Sequence, residues 1–457
     1  DGSFDSNDYI LFYGEGPKTY NEESETNINL YTDKTYYYVN VSSGSGKRIQ
    51  TMPTIEAAAD IQINTFQDYQ YYEVDTHNLA KLGREWYGDD FDIENQRSYE
   101  FEFPNLVISE PVDFNIKVGS VSEVPTTMAI TINGSEVSNI GLGIITPGSL
   151  LGTSRTYANA LNIAGDAITV VFDYNNSGNP SANAFLDYIN IEATRNLIYQ
   201  GGQLAFKNKE TITTPGIAQY NLTNTTSLRE IWDITDRFNI SNIVNITNES
   251  EISFKAPSGE LRNYLAFSNS SVLQPIKDAR SSVANQNLKG TIFNNSQGQF
   301  EDIDYIILAP SQFLAQAERL AQINRDQYSL NVKVVDLQSI YNEFSTGSQD
   351  IAALRNFIKY VYDNASTPSK RLKYLCLFGD GSYDYKNRLN NNTNLVPSWY
   401  STESFSLTNS FVSDDFYAML DDNEGGMRTN IDRMDVAVGR ILVEDVQRAT
   451  EMVDKIK

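Results

Sequence analysis

Asp304-Tyr-Ile-Ile-Leu-Ala309, followed at once by Pro310-Ser311 and by Phe313, Leu314, Ala317, Leu320 and Ala321 on one helical face, decides the fold of the carboxyl-terminal third. A short apolar run bounded by a turn signal is a buried strand, and the periodic set after it is an amphipathic helix. The same alternation recurs. Asn331-Val-Lys-Val-Val335 is a second strand, and Ser348 is placed to cap a helix carrying Ile351, Leu354, Ile358 and Val361. Leu372-Lys-Tyr-Leu-Cys-Leu-Phe378 is a third strand, ending at Gly379, and Asp435-Val-Ala-Val438 is a fourth. Val446, Ala449, Val453 and Ile456 then share a helical face. Strand alternating with helix predicts a parallel sheet covered by helices over residues 299–457.

Working toward the amino terminus, the period changes from helical to twofold. Tyr9-Ile-Leu-Phe-Tyr13, Thr35-Tyr-Tyr-Tyr-Val39, Tyr99-Glu-Phe-Glu-Phe103, Phe114-Asn-Ile-Lys-Val118, Met128-Ala-Ile-Thr-Ile132, Ala167-Ile-Thr-Val-Val-Phe172 and Tyr188-Ile-Asn-Ile191 all read as strands separated by polar turns. Such runs build sandwich sheets with one wet face. The expected organisation is therefore multidomain. A β-rich segment over 1–95 continues a domain upstream, an all-β, sandwich-like region fills 96–298, and the α/β unit follows the polar linker Asn294-Asn-Ser-Gln-Gly-Gln299. At 457 residues, two or three cores are the expectation.

Composition narrows the functions. A formal charge of −24 lacks the basic footprint that nucleic acid requires. One cysteine permits no internal disulfide, and one histidine excludes the usual multi-histidine zinc sites within the chain. No apolar run approaches the roughly 20 residues that span a bilayer. The first residue is Asp1 and no secretory h-region follows, so any targeting signal is expected upstream. With Lys457 one helix beyond the fourth strand, more sheet is expected after it.

The residues with chemistry are few. Cys376 falls inside an apolar strand, where a thiol behaves as a small hydrophobe and a poor nucleophile. His77, in Asp75-Thr-His-Asn78, has no second histidine or cysteine beside it and reads as a turn residue. Neither a Walker-type nor a dinucleotide glycine pattern opens any helix, so Gly379-Asp-Gly-Ser382 is no phosphate loop. Two acidic clusters admit two readings each, oxygen ligands for Ca²⁺ or solvated turns: Gly379-Asp-Gly-Ser-Tyr-Asp384, and Ser413-Asp-Asp-Phe-Tyr417 together with Asp421-Asp-Asn-Glu424. Asp1-Gly-Ser-Phe-Asp-Ser-Asn-Asp8 also fits the second half of a calcium loop, or a plain β-turn.

Asp304-Tyr-Ile-Ile-Leu-Ala-Pro310, Leu375-Cys-Leu-Phe-Gly-Asp-Gly381, Ser413-Asp-Asp-Phe-Tyr417 and Asp435-Val-Ala-Val-Gly-Arg440, taken in order, resemble the first subdomain of gingipain-type cysteine peptidases. The sortase branch of that family, which serves type IX secretion, is the nearest in character, and Asp1 to Pro17 resembles part of its preceding β-rich region. The resemblance implies a caspase-like α/β domain whose histidine and cysteine lie in a second subdomain, so that this chain lacks the dyad and is inactive alone. It implies removal of C-terminal signal domains from secreted cargo and attachment of the cargo to anionic lipopolysaccharide. A PorV-like outer-membrane β-barrel is the implied partner, and the extracellular face of the outer membrane the implied location. It also implies calcium held by Asp380, Leu420, Asp422 and Asp435. The rival expectation is a non-catalytic surface module whose sandwich contacts carbohydrate or protein.

Overall fold

The computed structural model describes residues 8–21, 25–41, 43–44, 46–279, 282–427 and 430–457. The half calcium loop anticipated at residues 1–8 falls almost wholly outside them.

Alternating burial along Thr126–Ile132, with Met128, Ile130 and Ile132 inward, shows how the first sandwich is made. One sheet carries the strands Thr65–Glu73, Asn183–Asn196, Val112–Val121 and Thr153–Leu161 in that order, and Asp90–Phe91 joins its edge region. The facing sheet runs Gln96–Glu102, Ala167–Asn175, Thr126–Ile132 and Ser135–Leu142. Phe114, Ile116, Val118, Phe172, Ile189 and Ile191 fill the space between them. Asn133 and Gly134, at φ 47° and 81°, close the hairpin in the left-handed conformations that a tight two-residue turn requires.

A second sandwich has its own core of Ile63, Phe206, Tyr220, Ile231, Phe254 and Tyr264. Its larger sheet orders Gln50–Thr51, Ser241–Val244, Glu230–Asp233, Tyr264–Phe267 and Gln203–Phe206, and its smaller one Glu251–Ser258, Gly216–Thr223 and Ile61–Ile63. Two sandwiches thus stand where one was expected over 96–298. Alternation reveals that a strand has a wet face, not which sheet it joins. Strands from the first 95 residues enter both bodies: Thr65–Glu73 pairs with Asn183–Asn196, and Ile61–Ile63 with Gly216–Thr223.

Two expected strands are absent. Tyr9–Tyr13 and Thr35–Val39 form no ladder and hold together through side chains instead. The Phe12 and Tyr37 rings lie 5.2 Å apart, and Thr35 Oγ1 and Tyr37 Oη donate to the Glu15 carbonyl at 2.7 and 2.9 Å. Their aromatic content satisfied β-propensity, but no sheet edge is offered to them.

In the α/β unit, numbering its own elements, β1 (Tyr305–Ala309), β2 (Val332–Asp336), β3 (Tyr374–Phe378) and β4 (Ala437–Ile441) form a wholly parallel sheet in the order 2-1-3-4. Helices α1 (Leu314–Tyr328), α2 (Leu337–Phe344), α3 (Ile351–Asp363) and α4 (Val446–Ile456) cover it. Ile307, Cys376 and Phe378 pack with Ala317, Leu320 and Val453 of α1 and α4. Ile306, Leu375 and Leu377 pack with Ile340, Leu354 and Phe357 of α2 and α3. Helix α2 was not anticipated; Asp336, ending β2, caps it through Ser339 N at 3.3 Å. Nor does Ser348 cap α3. Asp350 does, accepting from Ala352 N at 2.8 Å, while Ser348 Oγ donates to the Lys34 carbonyl at 3.0 Å. No described helix is long and apolar enough to cross a membrane.

Candidate functional site at the strand ends of the parallel sheet

Strand order reverses between β1 and β3, and open α/β sheets place their ligands outside the carboxyl ends of strands at such a point. Here the chain itself fills that crevice. Gly379 leaves β3 at φ 153°, and a Cβ built there would meet Val396 Cγ2 at 2.8 Å. The Asp380 carbonyl accepts from Leu395 N and Val396 N at 3.1 and 2.9 Å, and the Asp380 carboxylate accepts from Gly381 N and Thr393 Oγ1 at 2.9 and 2.7 Å. Asp384, wholly buried, accepts from Leu389 N at 2.7 Å.

Arg440 organises the adjoining end of β4. Its guanidinium makes a two-point contact with Asp414, both distances 2.7 Å, and donates to the carbonyls of Gly379 and Val396 at 2.9 and 2.7 Å. Its side chain is 8% exposed. Burial works against the charge, but the hydrogen-bonded Asp414 outweighs it and the Arg440 pKa is raised. One cation thus ties the third strand's exit, the returning loop and the Asp414 turn into a single bracket. Within Ser413-Asp-Asp-Phe-Tyr417, Asp414 is the carboxylate this bracket engages.

The four residues expected to hold calcium do not come together. Tyr374 lies beside Ala437 and Phe378 beside Ile441, so Asp380 follows β3 at one end of the sheet while Asp435 precedes β4 at the other. At roughly 3.3 Å per residue, the strands themselves separate the two carboxylates by far more than any coordination sphere spans. Leu420 and Asp435 do meet: Leu420 N donates to Asp435 Oδ2 at 3.1 Å, and Tyr362 Oη to its Oδ1 at 3.2 Å. Asp422 is 94% exposed and lies 3.3 Å from Lys359 Nζ. Where counter-charge was expected from Ca²⁺, the acidic hairpin has Arg355, which donates to the carbonyls of Met419, Asp421 and Glu424 at 2.6, 3.0 and 3.2 Å. Among the described residues no group of three or more His, Cys, Asp or Glu side chains is arranged to hold a metal ion. As a set, the four do not fit one cation, and the reason is register. Their nearness in sequence order concealed the direction in which β4 runs.

The single histidine and single cysteine occupy different bodies. His77 Nδ1 contacts Thr76 Oγ1 and the Gly88 carbonyl in the first sandwich, at 2.8 and 3.1 Å. Cys376 is 4% exposed in the α/β core, and burial pushes its thiol up to about 12, despite a Tyr305 hydrogen bond and Arg440. Neither can serve the other as base or nucleophile.

Residues 299–457 match peptidase family C25. That C25-type unit begins just before β1 and includes the Arg440 bracket. No curated protein matches the chain. Among solved structures, that of dimeric latent PorU from Porphyromonas gingivalis superposes with a TM-score of 0.71 at 22% identity, covering 89% of this chain and 39% of that one. The shared fold therefore extends from the C25-type unit back through both sandwiches, and this chain spans about two fifths of that structure's length. The CBM36-1 domain of a multidomain xylanase from the hindgut metagenome of Trinervitermes trinervoides aligns at 16% identity over 27% of this chain and 96% of that domain. Its TM-score of 0.18 carries no functional argument.

Arg355 and Arg440 are the structurally decisive cations of the unit. Sequence reading quoted Arg440 only inside a motif and passed over Arg355 on α3. The available signal was their position: a lone arginine on a mostly apolar helix or strand must find acceptors.

Proposed function

We propose that this chain is the front portion of a cell-surface cysteine peptidase of the PorU kind, acting as a sortase in type IX secretion. In this reading the whole protein removes C-terminal signal domains from cargo and attaches the cargo to anionic lipopolysaccharide. It works at the extracellular face of the outer membrane with a PorV-like β-barrel. The observation that carries the reading is the coincidence of the C25 match with the four-stranded parallel sheet built by the same residues.

The imidazole and thiolate come from beyond β4. That strand pairs only with β3 among the described residues, and Leu442, just past it, is 65% exposed, so its outer edge can receive further strands. The chain's own task is to hold the strand ends rigid through Arg440 and to dock them on the first sandwich. Thiol-sensitive cleavage of a signal-domain cargo by the full-length protein, retained in Cys376→Ala and absent from this chain alone, is the expected result. Cleavage by this chain alone, abolished in a folded Cys376→Ala variant, would remove the reading.

A docking role has one observation in its favour. A cleft of about 590 Å³ lies between the two sandwiches, lined by Tyr13, Gln67, Tyr69, Lys207, Arg237 and Asn263 among others. Retention of the β-barrel partner or a glycan by this chain, with no cleavage by the full-length protein, would favour that second reading.

A further inference from the structure

Strand alternation turns Ile116 and Val118 into the first sandwich's core and sends Lys117 to the opposite face. That face is covered, and Lys117 is only 4% exposed. Its ammonium lies 3.1 Å from Glu25, 3.2 Å from Glu85 and 3.3 Å from Asp187. Asp187 reaches it because of a bulge. Leu186 opposes Val118 and Tyr188 opposes Lys117, leaving Asp187 as the unopposed residue. Core-facing positions are Ala184 and Leu186 before the bulge and Ile189 and Ile191 after it, so Asp187 and Tyr188 both fall on the lysine's side.

A fourth carboxyl adjoins them. Glu73 accepts from the main-chain N and the side-chain Nδ2 of Asn27 at 2.7 and 2.8 Å, and from Thr26 Oγ1. Asn27 is wholly buried; its amide also donates to Asn190 Oδ1 and accepts from Tyr69 Oη, at 2.8 and 2.6 Å. Glu25, Glu85 and Asp187 thus share one ammonium, and Glu73 adds its repulsion to Asp187. The remaining charges that face them are already engaged or add to the excess. Asp75 is bound by Arg388 at 2.8 Å, Lys386 is bound by Asp33 at 2.6 Å, Glu403 lies toward Glu85, and burial raises the phenols of Tyr69, Tyr87 and Tyr188, which stay protonated. Uncompensated charge in such a place is costly, and a bound proton relieves it.

We propose that the strap of residues 25–28 is latched onto the first sandwich by a proton retained in this cluster, held at Asp187, so that acid closes the latch and rising pH loosens it. Burial pushes the Asp187 carboxyl well above the ordinary carboxylate range, against the pull of Lys117, and Glu73 and Glu85 are raised by burial too. A carboxyl so raised keeps its proton in the folded chain at pH values where the unfolded chain has lost it. The folded state then binds more protons, and stability falls as pH climbs from the ordinary carboxylate range toward the folded value.

The strap reaches the strand-end loop of the C25-type unit. Beyond Ile28, the Tyr31 ring packs 4.8 Å from Tyr385, the Tyr31 carbonyl accepts from Gln349 Nε2 at 3.2 Å, and Asp33 pairs with Lys386. Proton loss at Asp187 therefore loosens the clasp between the sandwich and the loop that leaves β3.

Amide exchange of Asn27, whose N–H is bonded to Glu73, reads the latch in the unmodified protein. After correction for intrinsic rates, its protection is expected to fall by up to about tenfold per pH unit within the titration window, the signature of one linked proton. In Asp187→Asn, which imitates the protonated carboxyl, that pH dependence is expected to disappear while protection at about pH 8 equals or exceeds wild type. Wild-type protection at Asn27 that is independent of pH overturns the proposal, whether or not the variant folds. A folded Asp187→Asn variant that keeps the wild-type slope overturns the assignment to Asp187.

Discussion

Cys376 sits between Ile307 on β1 and Gly439 on β4, buried in the core with a hydrogen bond to Tyr305. Replacing sulfur by a more polar oxygen there, as in Cys376→Ser, is expected to cost about 1–3 kcal/mol of stability. The urea midpoint measures it, and an unshifted midpoint would place the thiol nearer solvent than the sheet allows. Arg440 faces the opposite risk, because its guanidinium satisfies Asp414 and two carbonyls at once. Arg440→Met leaves a carboxylate and two carbonyls without their donor, at a cost of about 3–5 kcal/mol. Arg440→Lys recovers only part of this, since an ammonium cannot make the two-point contact. Equal stability of the Lys variant and the parent would show that the fork geometry does not matter.

At the scale of elements, the acidic hairpin between Leu420 and Asp435 depends on a protein cation. Arg355 on α3 binds the hairpin carbonyls of Asp421 and Glu424 and that of Met419 just before it, and Glu424 accepts from Asp421 N and Arg433 N at 3.2 and 3.0 Å. Chelator or added Ca²⁺ is therefore expected to leave the melting temperature unchanged, whereas Arg355→Met lowers it and opens the hairpin to protease. A calcium-dependent rise that Asp435→Asn abolishes would instead establish a metal at this end of the sheet. The strands of the α/β unit were legible because each is a short apolar run with a turn beside it, as Tyr374–Phe378 shows. Helix α2 was missed because it starts directly from β2 at Asp336, with no loop to mark the change. The parallel sense of the α/β sheet was legible from the strand-helix alternation, but which strands pair in the sandwiches was not. Thr65–Glu73 and Ile61–Ile63 are separated by one residue yet enter different sandwiches. For the same reason Asp380 and Asp435 looked like neighbours: local pattern locates a strand and omits the direction and partner that fix where its ends lie.

At the scale of the whole molecule, the loop that follows β3 ties the α/β unit to the first sandwich. Arg388 on that loop lies 2.8 Å from Asp75 of the first sandwich, 3.8 Å from Asp384, and 4.4 Å from the centre of the Trp86 ring, which itself stacks on Tyr383. A second contact is made further on, where Leu407 N and Ser149 O, and Leu151 N and Phe405 O, bond at 2.8 and 2.9 Å. The Asp75 side chain is 6% exposed and has Arg388 as its ion-pair partner, while Asp384, 0% exposed, has Leu389 N at 2.7 Å with Arg388 beside it. Burial raises the Asp75 carboxyl, and Arg388 is the leading influence pulling it back. Removing the arginine is thus worse than removing its partner. Arg388→Met is expected to cost about 3–5 kcal/mol, because it strands buried carboxylates, while Asp75→Asn, which leaves Arg388 its Asp384 and Trp86 contacts, costs less. The loss falls on the junction and not on either core, so scanning calorimetry should resolve the α/β unit from the sandwiches as separate transitions in Arg388→Met. Restoring a single transition by combining Arg388→Met with Asp75→Asn would confirm that the stranded charge drives the separation. A single, barely shifted transition in Arg388→Met would mean that the contacts around Leu151 and Leu407 suffice to couple the two bodies.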